Sequence, residues 1–425
     1  MKRLFFILLA AAAGCHHSSE PEDSLVAIQI QDRNGLTETI SAPDRLEVYE
    51  SVDFLYSQPY KKVLRVYRTT GKNHSKITTY HPNGTVWQYL EAEEMRAHGA
   101  YKEWFPNGQQ KIEAVVIGGT ADVNLGYQHD WLFEGEAQVW DEQGHPMAKI
   151  PYRNGALEGH SIYFYPNGQM ERELPYSANL LQGDGFEYYP DGNLKSKTSY
   201  KKGLKEGPSL GFFSERQAAW IEDYSEGLLK TGAYYHPNGE LYSEIENGGG
   251  FQALFDRETL STVVEFRQGR AEGTVRKFSP AGELRTLFHL KNGIKHGEEI
   301  EYFLTSERSD HETAQQPKLS VNWHENVIHG PVKTWYNNGQ LQSQREYCRN
   351  QKSGPAINWY RDGSLMALEE YEEDRLMKGQ YYKKNQRDLV SSISNGNGIA
   401  FLYDGDGVFL RKVTYLKGKT VDPED

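Results

Sequence analysis

Between residues 80 and 419 the apolar positions come in short alternating runs, interrupted by a turn signal about every 24 residues. Gly84, Gly108, Gly144, Gly168, Gly192, Gly239, Gly282, Gly339, Gly363 and Gly407 close these signals. Five of them read as a ring residue followed by Pro-Asn-Gly or Pro-Asp-Gly, as in Phe105-Pro106-Asn107-Gly108 and Tyr189-Pro190-Asp191-Gly192. Proline presets φ at the first corner, and glycine supplies the positive φ that ends a tight hairpin. Beyond each glycine a large residue stands two places on (Leu194, Leu241, Leu284, Leu341, Leu365), a small one four on (Ala148, Ser196, Ser343, Ala367), and a tyrosine eight on (Tyr152, Tyr176, Tyr200, Tyr347, Tyr371). A period of two predicts strands with all three on one face. A second turn and a second glycine follow, as at Gly207 and Gly354, where glycine permits a bulge or close backbone approach. Helix is excluded: a Gly or Pro about every six residues costs about 1 kcal/mol or more each in a helix interior.

A fixed period of this length marks a repeat array. The pattern predicts an all-β fold, an elongated single-layer array of about fourteen antiparallel β-hairpin repeats over 80–420. That count includes degenerate units at Ser214-Glu215-Arg216, at Thr305-Ser306 and over 251–260. Insertions interrupt the period at 118–130 and 307–316, and in arrays such insertions map to loops on one face, often the binding face. Residues 25–79 are out of phase and read as a small N-terminal cap, with strands at 26–31 and 62–68 and a short helix capped by Ser41. Residues 421–425 form a tail.

Paired rings precede the turns: Trp104-Phe105, Phe164-Tyr165, Tyr188-Tyr189, Tyr234-Tyr235, Trp335-Tyr336 and Trp359-Tyr360. Adjacent strand residues point to opposite faces, so one ring of each pair packs inside and the other faces outwards. Trp104, Tyr165, Tyr189, Tyr235, Trp335 and Trp359, with Tyr127 from the first insertion, are therefore the candidate binding residues. A ladder of rings suits a protein partner or the faces of sugars.

The ends and the charge narrow the setting. Lys2-Arg3, an apolar stretch over 4–13 and Ala12-Ala13-Gly14-Cys15 form a processing signal. Its apolar run is far shorter than the roughly 20 residues that span a bilayer. The site resembles the lipobox of bacterial lipoproteins, which implies a signal peptide over 1–14 and lipid on Cys15; an ordinary secretory signal is the alternative. His16 stands where, in that family, Asp favours inner-membrane retention, so the resemblance favours the outer membrane. Residues 15–24 are a polar tether. A net charge of -12 argues against nucleic acid and against binding to anionic headgroups. With Cys15 lipidated, Cys348 stands alone and no intrachain disulfide forms.

Little in the sequence points to chemistry. Asp404-Gly405-Asp406-Gly407 resembles part of a calcium loop but lacks the later acidic ligand, and it falls where a turn belongs. Glu369-Glu370 and Glu372-Glu373-Asp374 read as a solvated acidic patch. Cys348, with His324 and His329 one unit earlier, lacks a marked orienting group or oxyanion site. The fourteen histidines show no metal-ligand spacing. No catalytic residue, metal or cofactor is expected.

The motif aromatic-x-x-Asn-Gly, then Leu, then Tyr-x-x-Gly-x-x-x-Gly is similar to MORN repeats, and more closely resembles their bacterial antitoxin-like variant. Gly207, Gly273, Gly297, Gly330 and Gly354 match that family's second glycine. The resemblance implies a ribbon of hairpins that binds or scaffolds and carries no catalytic residue in its repeat. Together these readings predict a lipid-anchored, non-catalytic protein-interaction scaffold of the cell envelope. A glycan- or peptidoglycan-binding lipoprotein is the alternative, and a hydrolase is a distant third.

Overall fold

The computed structural model describes residues 24–58, 61–69, 73–123, 126, 128–213, 217–309 and 315–421. The Cys15 lipobox, Tyr127 and the turn at Ser214-Glu215-Arg216 lie outside the described residues. The protein is all-β, a single-layer array of antiparallel hairpins. Among the described residues one short α-helix occurs, Pro43–Leu46, beside three 3-10 turns. The chain divides into two compact units, Met1–Gly183 with Pro190–Gly192, and Asp184–Tyr189 with Asn193–Asp425.

In both units most strands pair with the next in sequence through two kinds of hairpin, whereas Thr37–Ile40 and Lys61–Thr69 both pair with Ser24–Asp32. At the Pro-Asn-Gly turns the first ring residue's N–H bonds the carbonyl four residues on, as Phe105 does to Gln109 at 2.8 Å, and Gly108 donates back to Phe105. The turn asparagine works in two directions. Its carbonyl oxygen accepts from the N–H two residues later, and its amide donates to the corresponding turn of the next repeat. Asn83 reaches Pro106 O, Asn167 reaches Pro190 O and Asn338 reaches Arg361 O, all at 2.7–2.9 Å.

The opposite hairpins are two-residue turns with both φ values positive: Asn154 and Gly155, Lys202 and Gly203, Arg349 and Asn350, Glu373 and Asp374. Doubly positive φ gives the primed turn whose twist matches that of strands. Where Asn or Asp replaces glycine at the second position, its side chain forms a cross-repeat bond. The side-chain oxygens of Asn179, Asn326, Asn350 and Asp374 accept the N–H of Leu157, Lys295, Ile328 and Lys352. The second glycines are bulges, as expected. Gly207 has φ +79 and Gly273 φ +105, and the register slips between Thr198 and Tyr200 and between Val264 and Phe266.

Another bulge corrects the expected one-face alignment. The register shifts just after every Pro-Asn-Gly turn, so Asn358 pairs with Ala367 while its neighbour Trp359 pairs with Leu365. Paired residues share a face and consecutive ones do not. Leu365 therefore joins Trp359 on the face opposite Ala367. The same slip recurs at Tyr235/Leu241, Phe278/Leu284 and Trp335/Leu341. Burial follows: Ala367 is 3% exposed and Ser343 4%, while Leu241 is 49% exposed.

Buried side chains concentrate in four places. In the first unit, Ile28, Ile40, Leu46, Leu64, Val66, Tyr80 and Val86 join the N-terminal region to the first repeat. The cap has the two expected strands, as Ser24–Asp32 and Lys61–Thr69, and also a short one, Thr37–Ile40, that the sequence did not signal. Its helix starts at Pro43 with Ala42, not Ser41, in the capping position and without a side-chain cap bond. The second cluster is Ile77, Leu90, Ala97, Tyr101, Val116, Val123 and Trp131. Val123 and Trp131 come from the first insertion and its flank. Trp131 stacks edge-on to Tyr101 at 4.8 Å and donates Nε1–H to Thr120 O. The described part of that insertion covers the sheet's own core.

The second unit has two clusters of one design. Tyr224, Leu229, Tyr234, Ile245 and Ala253 form one; Ala367, Leu376, Tyr381, Ile393 and Ala400 form the other. At each, three turns on one edge converge. Leu229 N–H bonds Gly269 O, Gly269 N–H bonds Gly248 O and Gly248 N–H bonds Lys230 O. Leu376, Gly418, Gly396 and Met377 repeat the pattern. Thr305-Ser306, read as a degenerate hairpin turn, instead opens a 3-10 turn, Thr305–Glu307.

Candidate interaction face

After the first Pro-Asn-Gly turn the bulge pair Tyr80/Val86 is core, with Trp104 packed on it; the later bulges build a second apolar surface opposite the core face. In the second unit it presents the pairs Tyr235/Leu241, Phe278/Leu284, Trp335/Leu341, Trp359/Leu365, Tyr382/Leu389 and Tyr403/Phe409. Three second members are exposed, Leu241 at 49%, Leu389 at 53% and Phe409 at 48%, while Leu284, Leu341 and Leu365 are half-buried. The rings beside them are half-buried. In the first unit the same positions hold Trp104/Gln110, Trp140/Pro146 and Phe164/Met170.

The six described candidate residues separate on this basis. Trp104, Tyr235, Trp335 and Trp359 occupy the bulge position, one residue before the turn. Tyr165 and Tyr189 are the first turn residues, and Tyr165 N–H bonds Gln169 O inside its turn. The ring at that corner is a structural tie. Tyr189 Oη donates to Phe212 O, Tyr336 Oη to Trp359 O and Tyr360 Oη to Tyr382 O, each at 2.8–2.9 Å. His81 uses Nε2 on Trp104 O in the same way. In every case the acceptor is the main chain of the next repeat. Burial pushes the Tyr360 phenol up to about 12. None of the six described rings is fully exposed, so the stripe is a half-buried apolar surface rather than a row of free rings.

Sequence reasoning missed a set of glutamates with defined tasks. The residue before the second glycine accepts the first N–H of the following turn: Glu134 from Asn154, Glu158 from Ala178, Glu206 from Glu226 and Glu272 from Asn292, at 2.6–2.8 Å. The signal was present as a Glu-Gly step at a constant offset. On the core face Glu222, only 3% exposed, accepts from Tyr224 Oη at 3.0 Å, Tyr234 Oη at 2.7 Å and Gln252 Nε2 at 2.7 Å. Glu369 accepts from Tyr371 and Tyr381. Desolvation, reinforced by the adjacent carboxylates, holds the phenols of Tyr224, Tyr234, Tyr371 and Tyr381 well above the ordinary tyrosine range. The acidic run at 369–374 is thus not simply solvated. Glu369 faces the core, Glu370 pairs with Lys378 at 2.7 Å and Asp374 caps Lys352.

The remaining chemical candidates resolve as structure. Asp404 Oδ1 accepts from Asp406 and Val408 N–H, which closes the turn at Gly407. Cys348 is an exposed free thiol. Among the described residues no group of three or more His, Cys, Asp or Glu side chains is arranged to hold a metal ion. Among them, too, no helix is long and apolar enough to cross a membrane.

Comparison with known proteins agrees with the repeat geometry. The family model described as MORN repeat variant matches residues 133–154, 157–178, 181–202 and 328–349. No curated protein shows significant similarity to the chain. Among solved structures it is similar to a mutant Photorhabdus luminescens Tc holotoxin pore, at 10% identity over 93% of this chain and 24% of that one, with a TM-score of 0.14. It is also similar to the TcdB2–TccC3–Cdc42 structure, at 9% identity over 94% of this chain and 25% of that one, TM-score 0.13. The chain spans about a quarter of the length of these chains. TM-scores this low carry no argument. The turns, bulges and matched segments agree on one point: this chain carries repeats of the MORN variant family.

Proposed function

We propose that this protein is a non-catalytic, lipid-anchored scaffold of the cell envelope, which docks a protein partner on the stripe of ring/leucine pairs. MORN-type repeats are in general interaction motifs, and repeats of this kind are typically non-catalytic. One observation carries the choice of surface. The bulge places a large apolar pair on the face away from the core at six turns of the second unit, four of them consecutive from Trp335/Leu341 to Tyr403/Phe409. Exposed apolar side chains grouped on one face favour an interaction site. The lipobox-like Ala12-Ala13-Gly14-Cys15, with the polar residues after it, supports lipid on Cys15 and an envelope location.

The test is affinity capture from envelope extract with the anchored chain and two stripe variants. Leu389→Ser removes an exposed side chain, and Trp335→Ala removes a half-buried one. The expected result is a protein recovered by the parent, reduced at least tenfold by either stripe variant and unaffected by Met95→Ser, which changes a residue 85% exposed elsewhere. Recovery of polysaccharide alone would instead make the stripe a sugar-stacking surface. Cys15→Ala is expected to release the protein from membranes; if it still sediments with them, the anchor reading fails.

A further inference from the structure

Three histidines scattered in the sequence meet on one edge of the second unit. Gly297 pairs with Trp323, so the next residues outwards, His296 and His324, lie across from each other. Their ring centres are 5.0 Å apart, with planes at 53°. His329 follows at 6.3 Å from His324.

The position they occupy is informative. His296 and His329 precede a second glycine, where four other repeats have the glutamate that caps the next turn. Histidine at 296 does not do that work: its Nδ1 is buried and makes no hydrogen bond. A buried nitrogen without a partner is a cost unless something fills its lone pair. His324 is exposed at the end of its strand, open to solvent.

We propose that His296 and His324 form a two-imidazole site for a divalent transition metal ion of the zinc or copper type, completed by water. Imidazole binds zinc at about 2.0–2.1 Å and roughly tetrahedrally, which sets two ligating rings about 5 Å centre to centre. The observed separation matches that requirement. Neutral imidazole pairs favour zinc, copper and nickel over magnesium or calcium, which prefer oxygen ligands. The two rings come from adjacent strands held in register by main-chain bonds, so their backbone positions are set before the ion arrives.

The site is tested by calorimetric titration of the full chain with Zn²⁺, and by the electron paramagnetic resonance of Cu²⁺, whose nitrogen couplings count ligated imidazoles. The parent should bind one ion through two imidazole nitrogens. His324→Gln, which alters an exposed side chain, should weaken binding at least tenfold with unchanged thermal unfolding, as should His296→Gln. His16→Ala with His17→Ala, which removes the neighbouring pair in the tether, should leave one ion bound at 296 and 324. Undiminished binding in both single Gln variants would overturn the proposal. So would the absence of any binding tighter than about 1 mM.

Discussion

Two corners of the second unit are built from the same parts and finished differently. Glu222, Tyr224, Leu229, Gly232 and Tyr234 recur 147 residues later as Glu369, Tyr371, Leu376, Gly379 and Tyr381. Even the cation over the first ring is repeated, Lys205 at 4.6 Å from the Tyr224 ring and Lys352 at 5.0 Å from that of Tyr371. The difference lies in the third donor. Gln252, two residues after Gly250, completes the shell of Glu222; two residues after Gly398 stands Ala400, which has no polar side chain. With three donors Glu222 is almost wholly buried, and with two phenol donors Glu369 stays half-buried. Burial of a carboxylate follows the completeness of its hydrogen-bond shell, because each unmet lone pair must otherwise keep its water.

That comparison predicts unequal responses to equal changes. Glu222→Ala strands two buried phenols and an amide and should destabilise its corner by about 3–5 kcal/mol. Glu369→Ala, nearer solvent, should cost about half as much. Hydrogen exchange of Tyr234 and Tyr381 amides reads each corner separately, as a repeat protein requires; equal losses would remove the distinction. Gly250→Ala and Gly398→Ala should act alike, at about 3 kcal/mol, because both combine positive φ with a Cβ that collides with the carbonyl of Glu244 or Ser392. Limited proteolysis checks this, and tolerance at either corner would show that the chain can relax there. Gln252→Ala should loosen only the first corner, by about 1 kcal/mol, and leave exchange at Tyr381 unchanged.

Alkali tests the same burial by another route. A tyrosine titrates near 10 in an unfolded chain, and burial raises Tyr360 to about 12. Its contribution to stability is therefore complete below pH 10 and lost as pH rises from 10 to 12. Tyr234 and Tyr381 are raised in the same direction, so their corners should also weaken above pH 10. Phenolate absorbance followed with far-ultraviolet circular dichroism checks this. Titration of all tyrosines near 10 would contradict the burial.

Much of this architecture could be read from local chemistry. Pro106-Asn107-Gly108 and its relatives specify their own turns, since the conformational demands of Pro and Gly act within four residues. The second glycines likewise foretold bulges. What could not be read was parity. One extra residue after each turn sends Leu365 to the face of Trp359, and nothing in a two-residue alternation marks that slip. The candidate residues suffered from the same blind spot. Trp335 and Tyr189 both sit near turns, yet one is on the bulge and the other ties its corner to Phe212. Pairings that depend on curling of the sheet, such as Glu222 with Gln252, or on register, such as His296 with His324, have no local signature.

The corner rings have a mechanical consequence. Tyr336 holds the main chain of the repeat after it, and Tyr360 does the same for the one beyond. Tension applied along the chain would meet these ties in series. It should release them hairpin by hairpin, each step freeing about 24 residues, or roughly 80 Å of slack at about 3.4 Å per residue. A protein so built yields under load in small increments instead of failing at once.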